Sequence, residues 1–150
     1  FENLIVVRTF SKIYGLAGLR IGYAICSPEV AESLNRAVFP YNVNLAAQMA
    51  AIAALQDQQH VQDCRSKNLF ERERMQRELT RLGYSVIPSQ TNFLLIKVQD
   101  PITFAGNLLK HGILVAPLGH FHVPDGLRVT LGLPEENDLF LSILASSEKS

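Results

Sequence analysis

Cysteine is scarce in this chain: its 150 residues contain two, Cys26 and Cys64, with no Cys-x-x-Cys pair and no histidine at ligand spacing. A disulfide scaffold and a zinc site are therefore not expected, and the two thiols read as ordinary reduced side chains of a cytoplasmic protein. Charge of one sign is also missing. Fourteen Lys and Arg balance fourteen Asp and Glu. No basic stripe awaits nucleic acid, and no acidic tail awaits a basic partner. No run reaches the ~18 uncharged apolar residues of a membrane span. No basic segment opens the chain as a signal peptide would, and internal repeats and low-complexity tracts are absent. What remains is a hydrophobic fraction of 47%, ordinary for a globular domain and too high for disorder. At this length a chain buries roughly 68–70% of its unfolded surface, enough for one core.

Periodicity and punctuation give the elements. Leu4–Val7 reads as a short buried strand, residues 8–19 as an irregular loop containing Gly15 and Gly18, and Arg20–Cys26 as a second strand. Ser27-Pro28-Glu29 is a helix start, with a hydroxyl cap, Pro in the first turn and a carboxylate on the positive dipole end. That helix runs to about Ala37. Leu45–Leu55 is helical and apolar nearly all round, which predicts burial on several sides, in a core or against another domain or subunit. Gln58–Leu82 is a long helix with Val61, Cys64, Leu69, Met75, Leu79 and Leu82 at threes and fours and a solvated charged face, closed by Gly83. Strands follow at Tyr84–Ile87 and Asn92–Val98 around the turn Pro88-Ser89-Gln90. A helix from Pro101 to Gly112, strands at Ile113–Val115 and Leu127–Leu131, and a last helix from Pro134 complete the order. Residues 146–150 are expected to fray.

The fold class expected is α/β in two parts. Residues 1–38 look like the tail of a larger α/β domain, and residues 39–150 like a small domain with helices on a mostly antiparallel sheet. A two-stranded piece is not independently stable. With no initiator Met before the first strand, the chain is expected to be the C-terminal portion of something longer.

The segment with chemistry is Arg8-Thr9-Phe10-Ser11-Lys12-Ile13-Tyr14-Gly15-Leu16-Ala17-Gly18-Leu19-Arg20-Ile21-Gly22-Tyr23. Lys12 follows a strand. Thr9 and Ser11 are two apart and share a face in extended chain. The glycines permit sharp turns and close backbone approach, and Arg20 brings a permanent cation with a bidentate fork. Two hydroxyls and an arginine make a phosphate site, and a lysine beside one is a plausible Schiff-base amine. Spacing alone equally allows a solvated loop lysine and a packing arginine. Tyr14 and Tyr23 read as packing residues, and Arg8 as structural or as a helper of the phosphate site. His60 and His111 read as surface residues. His120 and His122 alternate without a third ligand, so no metal is expected.

This segment resembles the lysine motif of the fold-type-I pyridoxal-phosphate aminotransferases, and in particular the histidinol-phosphate aminotransferases. The resemblance continues in order through Pro40-Tyr41-Asn42-Val43-Asn44 and its Ala-rich helix, Pro88–Ile96, Gly112–Gly119 and Leu127–Asp138. It implies that Lys12 is the Schiff-base lysine and the acid and base at the substrate Cα. It implies that Thr9, Ser11 and Arg20 bind the phosphate of pyridoxal 5′-phosphate, and that Arg128 binds the substrate carboxylate through two parallel N–H bonds. Asn42 and Asn44 stand where such enzymes reach toward the partner subunit's active site in a homodimer, or they form a turn. The substrates implied are an amino donor and a 2-oxo acid.

Two departures bear on substrate. Ala116 stands where many histidinol-phosphate aminotransferases have an arginine, and His120-Phe121 replaces a more usual small-aromatic pair. A related aminotransferase or a threonine-phosphate decarboxylase is thus an alternative, as is a non-catalytic module that dimerises or binds a phosphorylated ligand. The resemblance also implies that the carboxylate for the pyridinium nitrogen, the ring-stacking aromatic and the glycine-rich phosphate loop precede the lysine. The chain alone is therefore expected to be inactive and to hold the cofactor weakly.

Overall fold

A computed structural model describes residues 2–147. It divides into two compact units, residues 1–65 and 66–150, with the border inside one long helix. The first unit contains a two-stranded antiparallel sheet, β1 (Val6–Thr9) and β2 (Gly22–Ile25), with Thr9 opposite Gly22 and Val6 opposite Ile25. Then come α1 (Pro28–Ala37), α2 (Leu45–Gln56) and the start of α3 (Gln58–Arg81).

Cap chemistry starts these helices where the sequence says it should. Ser27 Oγ accepts from Val30 N ahead of Pro28, and Asn44 Oδ1 accepts from Ala47 N at 2.8 Å. Asp57 Oδ1 accepts from His60 N at 3.0 Å and caps α3.

Two expectations for this unit need correction. The first strand is two residues later than its apolar run, because hydrogen bonding to Gly22–Ile25 defines it rather than hydrophobicity. It is also exposed rather than buried, with Val7 at 73% of full exposure. A lone pair of strands has two open faces. Helix α2 buries only Ala47 and Ala51, while Leu45, Met49, Ile52 and Leu55 are open to solvent in this chain.

The second unit is a four-stranded sheet in the order β3 (Ser85–Ile87), β4 (Phe93–Lys97), β6 (Gly126–Thr130), β5 (Ala116–Pro117), with each described neighbour antiparallel. Its core is Leu94 and Ile96 of β4, Leu127 and Val129 of β6, Val115, Met75 and Leu79 of α3, Leu108 of α4 (Pro101–Leu109), and Phe140 and Leu144 of α5 (Pro134–Ser147). The strand residues of this core alternate with more exposed ones, so one face of the sheet meets the helices. Helices α3 and α4 end on the same device. Gly83 and Gly112 have φ of +85° and +78°. Tyr84 N donates to Leu79 O and Ile113 N to Leu108 O, each closing the last turn. Strand β5 forms at 116–117 rather than at 113–115, since residues 113–115 follow directly from that cap and pairing with β6 begins at Ala116. Helix α5 carries residues 146 and 147, expected to fray. Residues 148–150 lie outside the described part.

The solvated face expected of α3 is interrupted. Glu71 and Arg72 are buried. Arg74 holds Glu71 from two sides, Nε to Oε1 at 3.1 Å and Nη2 to Oε2 at 2.8 Å, while its Nη1 donates to Asp138. Asn137 Nδ2 donates to the same Glu71 Oε2 at 2.7 Å, and Asn137 Oδ1 accepts from Gly132 N. This network ties α3 to the start of α5. Arg72 and Asn68 donate to Thr91 O and hold the turn between β3 and β4. The hydrogen bonds from Arg74, reinforced by Asn137, hold the Glu71 carboxyl below its ordinary value of 4.5 against the opposing effect of burial, and its partners raise Arg74. A carboxyl lowered on folding adds stability that is complete above its unfolded pKa and is lost as pH falls through the folded one. Glu71→Gln is expected to cost about 1–3 kcal/mol at pH 7, and the difference from the parent chain to shrink as pH drops below 4.5. Urea unfolding of both chains at stepped pH measures it; a difference that does not change with pH would contradict this role for Glu71.

Candidate active site

The hairpin of the first unit carries four of the expected site residues. Pairing of Thr9 with Gly22 is extended by Phe10 N donating to Ile21 O at 3.2 Å, so Ser11 and Arg20 leave the ladder at the same end. Thr9 Oγ1 donates to Ser11 Oγ at 2.8 Å and accepts from Ser11 N at 3.0 Å, which folds the two hydroxyls onto one spot. Lys12 comes next, exposed, in a turn closed by Gly15 N to Lys12 O at 2.9 Å and Leu16 N to Phe10 O at 3.0 Å. Gly15 has φ +67°, a conformation that glycine adopts without strain.

Phe10 anchors the loop. It is buried, with its ring 4.9 Å from Tyr14 and 5.7 Å from Tyr23. The two tyrosines thus pack, as expected. Arg8 lies opposite Tyr23 in the ladder. Ala17–Leu19 form a single 3₁₀ turn, and Arg20 follows in the left-handed region at φ 53° and ψ 47°. That conformation costs an arginine roughly 1–2 kcal/mol. It is held by Arg20 Nη1 donating to Ala17 O at 2.6 Å. An exposed amine, two paired hydroxyls and an arginine at one end of one hairpin fit a phosphorylated, carbonyl-bearing cofactor: hydroxyls and guanidinium for the phosphate, amine for the carbonyl.

Arg128 belongs to the second unit. It lies in β6 on the sheet face opposite the helices, between Leu95 of β4 and Ala116 of β5. Its guanidinium carbon is 5.7 Å from the centre of the Phe93 ring, within cation–π range. Beside it is a cavity of about 350 Å³ lined by Leu114, Val115, Ala116, Arg128 and Thr130. Arg128 is the sole charged group in that lining. Its planar fork matches a carboxylate, and the rest of the wall offers one hydroxyl and apolar surface. Asn44 is taken up as the α2 cap, and Asn42 is exposed in the connection before it.

Reading the sequence missed His60 and Phe93. His60 Nε2 lies 3.1 Å from Ile13 O, beside Lys12, a contact across 47 positions that no local pattern signals. Phe93 was recognised only as a strand residue, although alternation along β4 places it on the open face with Arg128. His120 stacks on its neighbour Phe121, ring centres 4.1 Å apart, and no cluster of three metal-ligating side chains occurs among the described residues.

The family model for aminotransferase class I and II matches residues 2–143. A histidinol-phosphate aminotransferase of Methylobacillus flagellatus is 44% identical over 144 residues, covering 96% of this chain and 39% of that protein. The chain therefore spans about two fifths of the length of this curated relative. Among solved structures, the histidinol-phosphate aminotransferase of Clostridium acetobutylicum superposes with a TM-score of 0.93 at 26% identity, covering 99% of this chain and 47% of that one. The Sinorhizobium meliloti enzyme of the same name, solved in complex with pyridoxal-5′-phosphate, gives 0.81 at 32% identity, covering 95% and 40%.

Gly22 permits the close approach that sets the hairpin end. A Cβ there would meet Arg8 O at 2.7 Å, and a backbone oxygen cannot swing aside. Gly22→Ala is expected to shift β2 and weaken the Phe10–Ile21 bond, at about 1–3 kcal/mol. Hydrogen exchange at the Phe10 amide reads it: about tenfold or more faster exchange is expected, and unchanged protection would contradict the close-approach argument.

Proposed function

Because this chain belongs to the aminotransferase class I and II family, we propose that it is the C-terminal portion of a pyridoxal-phosphate-dependent aminotransferase that exchanges an amino group between a histidinol-phosphate-like donor and a 2-oxo acid. The observation that supports this reading is the hairpin end, where the Thr9–Ser11 hydroxyl pair, Lys12 and Arg20 all leave the ladder on the same side of the Thr9–Gly22 pair. In this proposal residues 1–38 complete the large cofactor-binding domain and residues 39–150 form the small domain. The exposed apolar side chains of α2 meet the rest of the protein or a second subunit of a cytoplasmic homodimer, toward whose active site Asn42 reaches.

Pyridoxal 5′-phosphate, when bound, supplies the electron-withdrawing ring that makes the substrate Cα–H acidic. The residues of this chain would supply part of the remainder. Ser11, its hydroxyl oriented by the bond it accepts from Thr9 Oγ1, would donate to the phosphate, and Arg20 would neutralise its charge. Lys12 would hold the cofactor through Nζ, and the same amine would take and return the substrate Cα proton. Arg128 grips the anionic group of the substrate and orients it.

Ala116 refines the substrate side. It is the cross-strand partner of Arg128, so a longer side chain there would enter the same cavity. One arginine and an apolar wall suit a singly charged anion better than a phosphate dianion, which favours a carboxylate-bearing donor as the second reading.

The full-length protein decides between these readings. Assay with histidinol phosphate and with common amino acids should show turnover of one of them; turnover of none, with cofactor bound, would remove the aminotransferase reading. Lys12→Ala is expected to lower that turnover by about 10²–10⁴-fold and to abolish borohydride fixation of the cofactor at position 12. Ala116→Arg is expected to lower KM for a phosphorylated donor relative to a carboxylate donor by about tenfold, the effect of one added charge-assisted bond. An unchanged ratio would show that this cavity does not hold the substrate anion. The isolated chain of 150 residues is expected to show no turnover.

A further inference from the structure

We infer that His60 is a positioning residue for Lys12, acting by donating a hydrogen bond from Nε2 to the Ile13 carbonyl. The inference rests on the reading of Lys12 as the cofactor lysine. The geometry lies wholly within the first unit. Lys12 is exposed, on a long flexible side chain, in a turn whose own bonds are local: Gly15 N to Lys12 O and Leu16 N to Phe10 O. Among the described residues, the His60 contact at 3.1 Å is the only hydrogen bond that ties residues 11–16 to an element outside the hairpin.

The acceptor fixes the chemistry of the ring. A carbonyl oxygen only accepts, so Nε2 must carry the proton. The neutral Nε2–H ring and the imidazolium both satisfy this, and the Nδ1–H tautomer does not. Cys64 Sγ, one helical turn on, lies 3.4 Å from the same nitrogen and shares the N–H as a weak second acceptor. The His60 backbone is held as well, since Asp57 Oδ1 accepts from its N–H and caps the first turn of α3. Ile13 O belongs to the Ile13–Tyr14 peptide, inside the turn that Gly15 N closes on Lys12 O. A donor clamped there restricts the backbone from which the Lys12 amine swings. An amine that must serve first as an anchor and then as a proton carrier depends on such placement, because small displacements cost large factors in rate.

The test compares His60→Ala, His60→Gln and the control Gln59→Ala in the full-length protein. Gln at 60 keeps an N–H donor at similar reach. Gln59 sits on the same helical turn and bonds Asp63 instead. Hydrogen exchange in the cofactor-free protein is the first readout. Exchange at the Gly15 and Leu16 amides should quicken about tenfold in His60→Ala, return toward the parent rate in His60→Gln, and stay unchanged in Gln59→Ala. In the loaded protein, His60→Ala should lower kcat several-fold with little change in KM and shift the pH midpoint of the visible band of the lysine-bound cofactor. His60→Gln should restore both. Parent-like exchange and kcat in His60→Ala would overturn the inference, as would a His60→Gln protein no better than His60→Ala. Borohydride fixation with peptide mapping separates this failure from that of the underlying reading: cofactor fixed elsewhere than on Lys12 removes the reading, whatever the His60 variants do.

Discussion

Backbone pairing between β4 and β6 decides which residues of the second unit are core and which face the cavity. The ladder runs from Phe93 opposite Thr130 to Lys97 opposite Gly126. It puts Leu94 beside Val129 and Ile96 beside Leu127, and all four are buried. Alternation then sends Arg128 and Thr130 to the other face. A slip of one residue would push Arg128 into the apolar core and expose Leu127 and Val129. A buried unpaired guanidinium is so costly that the register has no competitor. The hydrophobic pattern that folds the sheet thus also aims the arginine.

The hairpin of the first unit solves the same problem with less material. Its strands are short and open on both faces, so side-chain burial does little to fix their register. Three other devices replace it. Gly22 lets β2 close on the Arg8 carbonyl, Phe10 is buried against two tyrosines, and the Thr9–Ser11 turn folds the chain back before Lys12. Arg20 is then held in a backbone conformation that arginine avoids. A strained residue persists only where its surroundings over-determine it, and such residues gather at functional sites.

Much of this could be read from residue order because the signals are local. Ser27-Pro28-Glu29 and Gly83 act within four residues of themselves, and each caps its helix as its chemistry dictates. The Lys12 motif is local too. What escaped was non-local. Glu71 looks like any surface glutamate of a charged helix until Asn137, far along the chain, is brought to it. Strand β5 is set by its partner β6 rather than by its own apolar run, which ends one residue before pairing begins. Helix α2 shows the converse. Its pattern demands burial, and the burial it receives within this chain stops at two alanines. That mismatch between pattern and exposure is what a face meant for another part of the protein or another subunit looks like.

Zero net charge is compatible with the anion sites proposed for Arg20 and Arg128, because such sites need arginines that are placed rather than numerous. A cloud of surface cations attracts any anion weakly and is screened by salt. Arg20 instead has one nitrogen committed to Ala17 O, and Arg128 has one face against Phe93. A guanidinium already in contact with its surroundings has less side-chain entropy to lose when it binds an anion. Each also keeps further N–H donors, of the five that guanidinium carries. The two differ in what surrounds them. Arg20 shares its end of the hairpin with two hydroxyls and a lysine, a donor-rich setting suited to a doubly charged phosphate. Arg128 faces an alanine across the ladder and one threonine in its cavity, a setting that singles out one planar anion and offers apolar contact to the rest of the molecule. If Arg128 holds the substrate anion as proposed, discrimination between donors would reside in the wall opposite it more than in Arg128 itself.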